Sequence, residues 1–194
     1  MKTNCQQYAV VLAAALAVAL FTGCASPTPR GILGPKAVVP AGESVVFGEI
    51  KHQKNLSHCF ISVMNTRSSI PVLEQPVANE TTPFFWHLPP GKYAMFELEF
   101  VWGGGGDIDS RSHRIYAEFD VASAGQVVYT GCLGLVLQSD GIKATVSDDF
   151  ENALGVLKAN HPQVVGEPVK HLFTLETKRL KQYLKLLSCR ARHC

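Results

Sequence analysis

Apolar and polar side chains alternate along most of the chain, from residue 37 to residue 147. The clearest stretch is 94–102, where every even position is apolar and Glu97 and Glu99 occupy odd positions. Because successive side chains of a β-strand point to opposite faces, this period of two predicts a half-buried strand rather than a helix. We therefore expect the even positions of this segment to share the buried face.

Seven segments show strand-like patterns, and turn residues separate them. The segments are 45–50, 59–63, 70–73, 84–88, 94–102, 115–121 and 127–137. Turns are indicated by Pro40-Ala41-Gly42, Pro89-Pro90-Gly91, Ala124-Gly125 and Asp140-Gly141, since these residue types favour tight reversals. About seven to eight short strands at this spacing predict an all-β fold, an antiparallel β-sandwich whose strand order the sequence does not fix.

A helical period replaces the alternation at residues 148–160, where Phe150, Leu154 and Leu157 recur at i, i+4 and i+7. Asp148 is the expected N-cap, with Glu151 three residues later as in a capping box. The sequence His161-Pro162 ends the helix, because the residue before a proline avoids the α conformation. We expect this short helix to cover one end of the sandwich.

A second helical pattern follows a predicted hinge at Gly166-Glu167-Pro168 and spans residues 172–187. Residues 167–194 contain seven basic and two acidic side chains, a local net charge of +5. The pattern therefore predicts a basic amphipathic C-terminal helix. Three interpretations stay open: the helix docks on its own sandwich, it binds a partner or anionic lipid head groups, or it has little structure.

The N-terminus has the pattern of a secretory signal. Lys2 precedes an apolar run of 13 residues at 9–21, too short for a span of about 20 residues but typical of a signal peptide. The string Leu20-Phe21-Thr22-Gly23-Cys24 that follows resembles the lipobox of bacterial lipoproteins. The resemblance implies cleavage before Cys24 and lipidation of its thiol, and Ala25 after it favours the outer membrane. The alternatives are an ordinary cleaved signal and a retained signal anchor.

These patterns divide the chain into four parts. Residues 1–23 form the lipoprotein signal peptide, and residues 24–36, rich in proline and glycine, form a tether. Residues 37–165 form the β-sandwich domain with its short helix, and residues 166–194 form the hinge and the basic helix.

The string Leu88-Pro89-Pro90-Gly91-Lys92-Tyr93 predicts a type II turn with a positive φ at Gly91. It resembles the Pro-Gly-x-Tyr corner of transthyretin-like and carboxypeptidase-regulatory-like domains, which are seven-stranded sandwiches. A wider resemblance over residues 37–173 is to a group of uncharacterised proteobacterial lipoproteins. This resemblance implies a fold and a location but no activity.

Motifs of catalysis are missing, and we predict no catalytic residues, no metal site and no cofactor. No nucleophile elbow, zinc-protease helix, phosphate-binding loop or Cys-x-x-Cys is present. Asp107, Asp109 and Glu118 match three positions of a calcium loop, but Ser112 stands where that loop needs glycine. The net charge of +2 also argues against a broad nucleic-acid surface.

Cysteine usage fits an oxidising compartment, since four cysteines remain besides Cys24 in the part after the signal. Cys59 and Cys132 lie on predicted strands and are the candidate disulfide. The alternative is that both are plain buried thiols.

Together the patterns predict a non-catalytic lipoprotein of the bacterial outer membrane that faces the periplasm and acts as a binding or structural module. The lipid anchor gives it the membrane as a partner, and an envelope protein or peptidoglycan is the expected second partner. Candidate recognition residues are Trp86, Trp102, Asp107 and Asp109, near the glycine-rich loop 103–110. The alternative function is a metal-dependent or hydrolytic periplasmic enzyme whose site is assembled across strands.

Overall fold

A computed structural model of the chain describes residues 31–53, 59–104, 107–139 and 141–176, and it describes no side chains within 101–111. In this part of the chain there are ten β-strands and one α-helix. The strands are β1 (Ser44–His52), β2 (Cys59–Asn65), β3 (Ile70–Val77), β4 (Thr81–Leu88), β5 (Gly91–Gly104), β6 (Asp107–Val121), β7 (Val127–Gln138), β8 (Gly141–Ser147), β9 (Pro168–Lys170) and β10 (Thr174–Leu175). The helix is α1 (Phe150–Asn160).

The strands form two five-stranded sheets, which confirms the predicted all-β sandwich. Sheet I has the order β4-β1-β7-β8, and sheet II has the order β10-β6-β5-β2-β3. In sheet I, β9 and β8 pair with successive parts of β7, at Val127–Tyr129 and Cys132–Gln138. The predicted sandwich was antiparallel throughout, whereas β1 with β7 and β7 with β9 are parallel pairs.

The main core lies between the two sheets, and every one of β1 to β7 contributes to it. Its largest fully buried side chains include Trp86, Tyr93, Phe84, Ile50, Ile61, Met95, Leu98 and Leu133. All seven predicted strand segments therefore correspond to observed strands, because burial of one face needs the alternation that the sequence carries. The strands β8, β9 and β10 were not predicted individually.

The alternation in β5 is interrupted by a β-bulge, and this corrects one prediction. The register with β2 shifts between Met95 and Glu97, which leaves Phe96 as an extra residue. Tyr93 and Met95 lie in the main core before the bulge, and Leu98 and Phe100 lie in it after the bulge. Ala94 and Phe96 pack instead with Met64 on the outer face of sheet II. The even positions of 94–102 therefore do not share one face, because one extra residue reverses the phase of a strand.

The helix α1 packs on the outer face of sheet I and forms a second apolar cluster there. Ala153 and Leu157 of the helix contact outward-facing side chains of β1 and β7, which are Val45, Phe47, Val127 and Tyr129. The N-cap is Asp149 and not Asp148, and no side chain caps the helix. The Asp148 carboxylate instead accepts a hydrogen bond from the Phe150 N–H, at 3.2 Å. The helix ends before Pro162, as predicted.

The segments at both ends of the described chain pack on the sandwich. The carbonyl of Gly31 accepts a hydrogen bond from the His87 N–H, and the Leu33 N–H donates one to the Phe85 carbonyl, each at 2.8 Å. The body that was expected to start at residue 37 thus already includes residue 31. We call the end of the sandwich where Gly31 meets β4 the Gly31 end, and the end where β5 turns into β6 the hairpin end.

Residues 168–175 run from one sheet to the other. The strand β9 extends sheet I, Phe173 lies in the main core, and β10 extends sheet II. The predicted hinge is thus followed by strands, and residues 172–175 are not helical. The rest of the predicted basic helix lies outside the described residues.

The Pro89-Pro90 corner connects β4 in sheet I with β5 in sheet II. Gly91 is the first residue of β5 and is not among the glycines with positive φ, so the predicted type II turn is wrong. The corner is closed instead by the Tyr93 hydroxyl, which donates to the Pro89 carbonyl at 2.7 Å. At two other predicted turns, Gly42 and Gly125 have φ of +89° and +76°, as tight turns require.

Candidate functional site

An apolar groove of about 310 Å³ opens on the surface at the Gly31 end of the sandwich. We call it the valine groove. Its apolar lining is Ala37, Val38, Val39, Val45, Val127, Val164 and Val165, and its other lining residues are Glu43, Gly125, Gln126 and Gln163.

The floor of the valine groove is part of sheet I. Val45 and Val127 are paired in register on adjacent strands, and both are at least 95% buried. They point to the same face as Phe47, which α1 covers. The helix ends at Asn160, before it reaches this end of the sheet. The groove therefore lies on the part of the outer face of sheet I that α1 does not cover.

Two loop segments form the walls. The Gln163 side-chain amide donates to the Ala37 carbonyl at 3.3 Å, which ties the segment before β1 to the loop after the helix. The Val164 N–H donates to the His161 carbonyl at 3.0 Å and closes a turn directly after the helix. The rim is strongly apolar, because Val38 is 88% exposed and Val165 is 82% exposed.

The polar edge of the groove is held by β1, β4 and the β6–β7 turn. The Glu43 carboxylate hydrogen-bonds to Nδ1 of His87, and the Glu43 carbonyl accepts from the Gly125 N–H at 3.0 Å. The Ser44 hydroxyl donates to the Ser123 carbonyl at 2.7 Å and accepts from the Gln126 N–H at 3.0 Å. These bonds fix the shape of the groove edge.

A cluster of polar side chains lies at the other end of α1, and we call it the helix-start cluster. Its centre is Glu49, whose side chain is 3% exposed. One Glu49 carboxylate oxygen accepts from the Asn152 side-chain amide at 3.0 Å, and the other lies 3.4 Å from the Lys51 ammonium. Lys51 also bonds to Asp149 at 3.1 Å, and this bond is the main reason why the pKa of Lys51 is raised. The cluster fixes the start of the helix on sheet I.

The thiol of Cys132 lies beside this cluster. Cys132 is paired with Glu49 across β1 and β7 and is 2% exposed. Burial is the main cause that raises its pKa, and the positive charge of Lys51 opposes the shift. A thiol in this setting stays protonated at neutral pH and is a poor nucleophile.

Cys59 and Cys132 are both buried thiols, so the candidate disulfide is absent. Cys59 lies in the main core between the sheets, where burial raises its pKa to about 11. Cys132 lies on the outer face of sheet I, because the register of β7 shifts near Gly131, which has a φ of +94°. Sheet I therefore lies between the two sulfur atoms and keeps them apart.

The candidate recognition residues separate into two groups. Trp86 is 0% exposed, stacks on Phe84 at 4.1 Å, and donates its indole N–H to the Gln75 side chain at 3.0 Å. Its expected role in surface recognition is therefore wrong, since it is a core residue with a satisfied donor. Trp102, Asp107 and Asp109 lie in the β5–β6 hairpin, where only the backbone is described.

The hairpin lies at the opposite end of the sandwich from the valine groove. β5 begins at the Gly31 end, where Gly91 pairs with Val121, and it ends at the hairpin end, where Gly104 pairs with Asp107. Three of the four candidate recognition residues thus lie at the hairpin end, and the groove was not predicted. The sequence feature that could have indicated the groove is a pair of valine-rich strings outside the predicted strands, at 37–39 and 164–165.

The histidines and acidic residues of the described ranges are dispersed. No three side chains of His, Cys, Asp or Glu come together there in a geometry that could hold a metal ion. A polar depression of about 280 Å³ beside β10 contains the Lys92–Asp120 ion pair, but its charged atoms are 3.8 Å apart and largely exposed. Surface pairs of this kind contribute little to stability.

No helix among the residues that the structure describes is long and apolar enough to cross a bilayer. No family model, no curated protein and no solved structure matches the chain.

Proposed function

We propose that this chain is a lipid-anchored protein of the bacterial envelope whose β-sandwich is a non-catalytic binding module, with the valine groove as its binding site. The observation that carries the proposal is the groove itself, with the buried Val45 and Val127 as its floor and with Val38 and Val165 exposed at its rim. Exposed apolar surface around a concave site is typical of a place where an apolar ligand or partner binds.

The lipobox-like string before Cys24 supports the anchor and the outer-membrane location. Three acyl chains on Cys24 would hold the protein at the membrane, since each buried methylene contributes about 0.8 kcal/mol. The sandwich would then face the periplasm. The partner is an apolar component of the envelope, which the groove chemistry favours over the polar glycans of peptidoglycan.

The state of the buried reactive groups supports a role in binding rather than in catalysis. Both described thiols have raised pKa values, and the buried Glu49 carboxylate is engaged by Asn152 and Lys51. These groups maintain the packing of α1 on sheet I and of the core. The alternative, a metal-dependent or hydrolytic enzyme, stays a prediction that metal analysis of the purified chain would test.

The anchor and the groove are tested separately. Labelling of cells with radioactive palmitate should mark the wild-type protein and not the Cys24→Ala variant, and equal labelling of both would contradict the anchor. For the groove, a photocrosslinking amino acid at position 165 should give a defined adduct in intact envelopes.

The matched control carries the same crosslinker at Phe60, an exposed apolar residue on the outer face of sheet II. The Val38→Glu change should remove the adduct formed from position 165, because a carboxylate at the rim opposes apolar binding. The same adducts from positions 60 and 165 would contradict a binding site at the groove.

A further inference from the structure

We infer that the Gly31 end of the sandwich is a membrane-docking surface, with Val38 and Val165 inserted into the phospholipid bilayer that holds the anchor at Cys24. This inference rests on the proposed function, and it names the apolar partner of the valine groove as the bilayer itself.

The position of the anchor relative to the groove is the first argument. The Gly31 carbonyl accepts a hydrogen bond from the His87 N–H. His87 of β4 is paired in register with Val45 of β1, which forms part of the groove floor. Six residues lie between Cys24 and Gly31, so the seven Cα–Cα steps of a fully extended chain span at most about 25 Å. The segment that carries the lipid is therefore connected to the Gly31 end of the sandwich, where the groove lies. Because this segment is short, it keeps the Gly31 end close to the bilayer.

The composition of the surface at this end is the second argument. Three loops surround the groove, and their segments 38–42, 122–125 and 164–166 contain no charged residue, although Glu43 and the exposed Glu167 directly follow the first and the third. Val38 and Val165 project from two different loops and are 88% and 82% exposed. Surfaces of this kind suit the boundary between head groups and acyl chains, about 5–10 Å into the leaflet.

Polar groups near these loops are placed to meet the head groups. Lys36 lies two residues before Val38 and is exposed, so its ammonium can pair with lipid phosphates. The Glu43 carboxylate, the acidic group at the groove edge, is bonded to His87. Insertion of the two valines therefore does not require this carboxylate to enter the bilayer unpaired.

The strength of the contact fits an anchored protein. Burial of two valine side chains is expected to favour the docked orientation by about a hundredfold, which is too little to hold a free protein at a membrane. A covalent lipid supplies a high local concentration, and under that condition a weak contact is enough to set the orientation. Docking would direct the β5–β6 hairpin away from the bilayer, since the 14 residues of β5 extend over about 45 Å.

The test uses the full lipidated chain in vesicles of phosphatidylethanolamine and phosphatidylglycerol, with and without bromine atoms on the acyl chains. Bromine quenches tryptophan fluorescence only at contact distance, so V38W and V165W report insertion. The F60W variant is the control, because Phe60 is an exposed apolar residue on sheet II, away from the Gly31 end. The native chain gives the background of its two tryptophans.

We expect brominated vesicles to lower the added fluorescence of V38W and V165W at least twofold and to leave that of F60W unchanged. The V38E change in the V165W background should remove most of the quenching. Equal quenching of V165W and F60W, or none in either, would overturn the docking surface.

Flotation of the vesicles in a density gradient separates this outcome from failure of the proposed function. A chain that floats with the vesicles but shows no quenching at positions 38 and 165 has its anchor and lacks the docking surface. A chain that does not float lacks the anchor, and then the proposed function and this inference are both wrong. A protein adduct formed from position 165 in envelopes, together with absent quenching, would assign the groove to a protein partner instead.

Discussion

The two ends of α1 lie on the same face of sheet I but are held there by different interactions. At the start of the helix, the Asp149 N–H donates to the Tyr129 hydroxyl at 2.8 Å, and Asn152 donates to the buried Glu49. At the same end, the Lys51 ammonium donates a hydrogen bond to the Asp149 carboxylate, and the Lys170 ammonium donates one to the Asp148 carboxylate. The polar groups of the helix start are therefore bonded to one another within the fold.

At the end of the helix the contacts are apolar. Leu157 is 2% exposed among the outward-facing side chains of sheet I. His161 is 3% exposed, and its ring forms an edge-to-face contact with the Phe85 ring, with 4.5 Å between the two centroids. Beyond it, the apolar surface continues into the valine groove and Val165 without a cover.

This difference between the two ends of α1 indicates which end is available to bind a partner. A buried polar group that lacks a partner costs about 1–3 kcal/mol. The buried Glu49 carboxylate has partners in Asn152 and Lys51, whereas Nδ1 of the buried His161 has no hydrogen-bond partner among the described residues. Exposed apolar surface, in contrast, needs no partner within the same chain. Its burial is available to an outside partner, and the uncovered end of α1 is consequently the better candidate for binding.

The largest expected effect tests the apolar end. Leu157→Ala should lower the free energy of unfolding by about 3 kcal/mol, because it removes buried methyl groups and leaves a cavity between the helix and the sheet. Urea denaturation of the full chain measures this loss. Val165→Ala is the matched control and should change stability by less than about 0.5 kcal/mol, since Val165 is 82% exposed. A loss below about 1 kcal/mol for Leu157→Ala would mean that the polar end alone holds the helix.

A smaller effect is expected at the polar end. Glu49→Ala should lower the free energy of unfolding by about 2 kcal/mol, because the hydrogen bond from the Asn152 amide to the Glu49 carboxylate is lost. Glu49→Gln keeps an acceptor for that amide and should cost less. A double-mutant cycle of Glu49→Ala with Asn152→Ala should give a coupling energy of about 1 kcal/mol, and additive effects would show that the two side chains do not interact.

The smallest effect is a dependence on pH at the apolar end. Burial lowers the pKa of His161 below its ordinary 6.5. The unfolded chain therefore binds a proton at this residue more readily than the folded chain does, and stability falls as the pH drops below 6.5. One proton gives a slope of at most about 1.4 kcal/mol per pH unit.

The measurement compares urea denaturation at pH 7 and pH 5.5 for the wild type and for His161→Phe, which keeps a ring beside Phe85. The wild type should lose more stability than the variant over this interval. His171→Phe, at an exposed position, is the control and should behave as the wild type. The same pH dependence for wild type and His161→Phe would show that His161 is not responsible.

Local patterns in the sequence predicted the strands well and their faces less well. The alternation in 84–88 and 127–137 is sufficient to place β4 and β7, because a strand with one buried face needs it. The face to which Phe96 points depends on the bulge, and the bulge is a feature of the pairing with β2. Trp86 was assigned to the surface because a tryptophan in a strand is compatible with recognition or with the core, and its bond to Gln75 of another strand decides between them.

The sequence by itself determined the all-β class, most strand positions, the end of α1 at Pro162 and the lipobox-like string at Cys24, because each of these depends on residues that are neighbours in the chain. Only the tertiary structure decided that Cys59 and Cys132 lie on opposite sides of sheet I, that Phe173 enters the core, and that valines from three separate regions meet in one groove. These features depend on strand pairing over long sequence separations. Many pairings are compatible with the same alternation, and their choice follows from the packing of the whole sandwich.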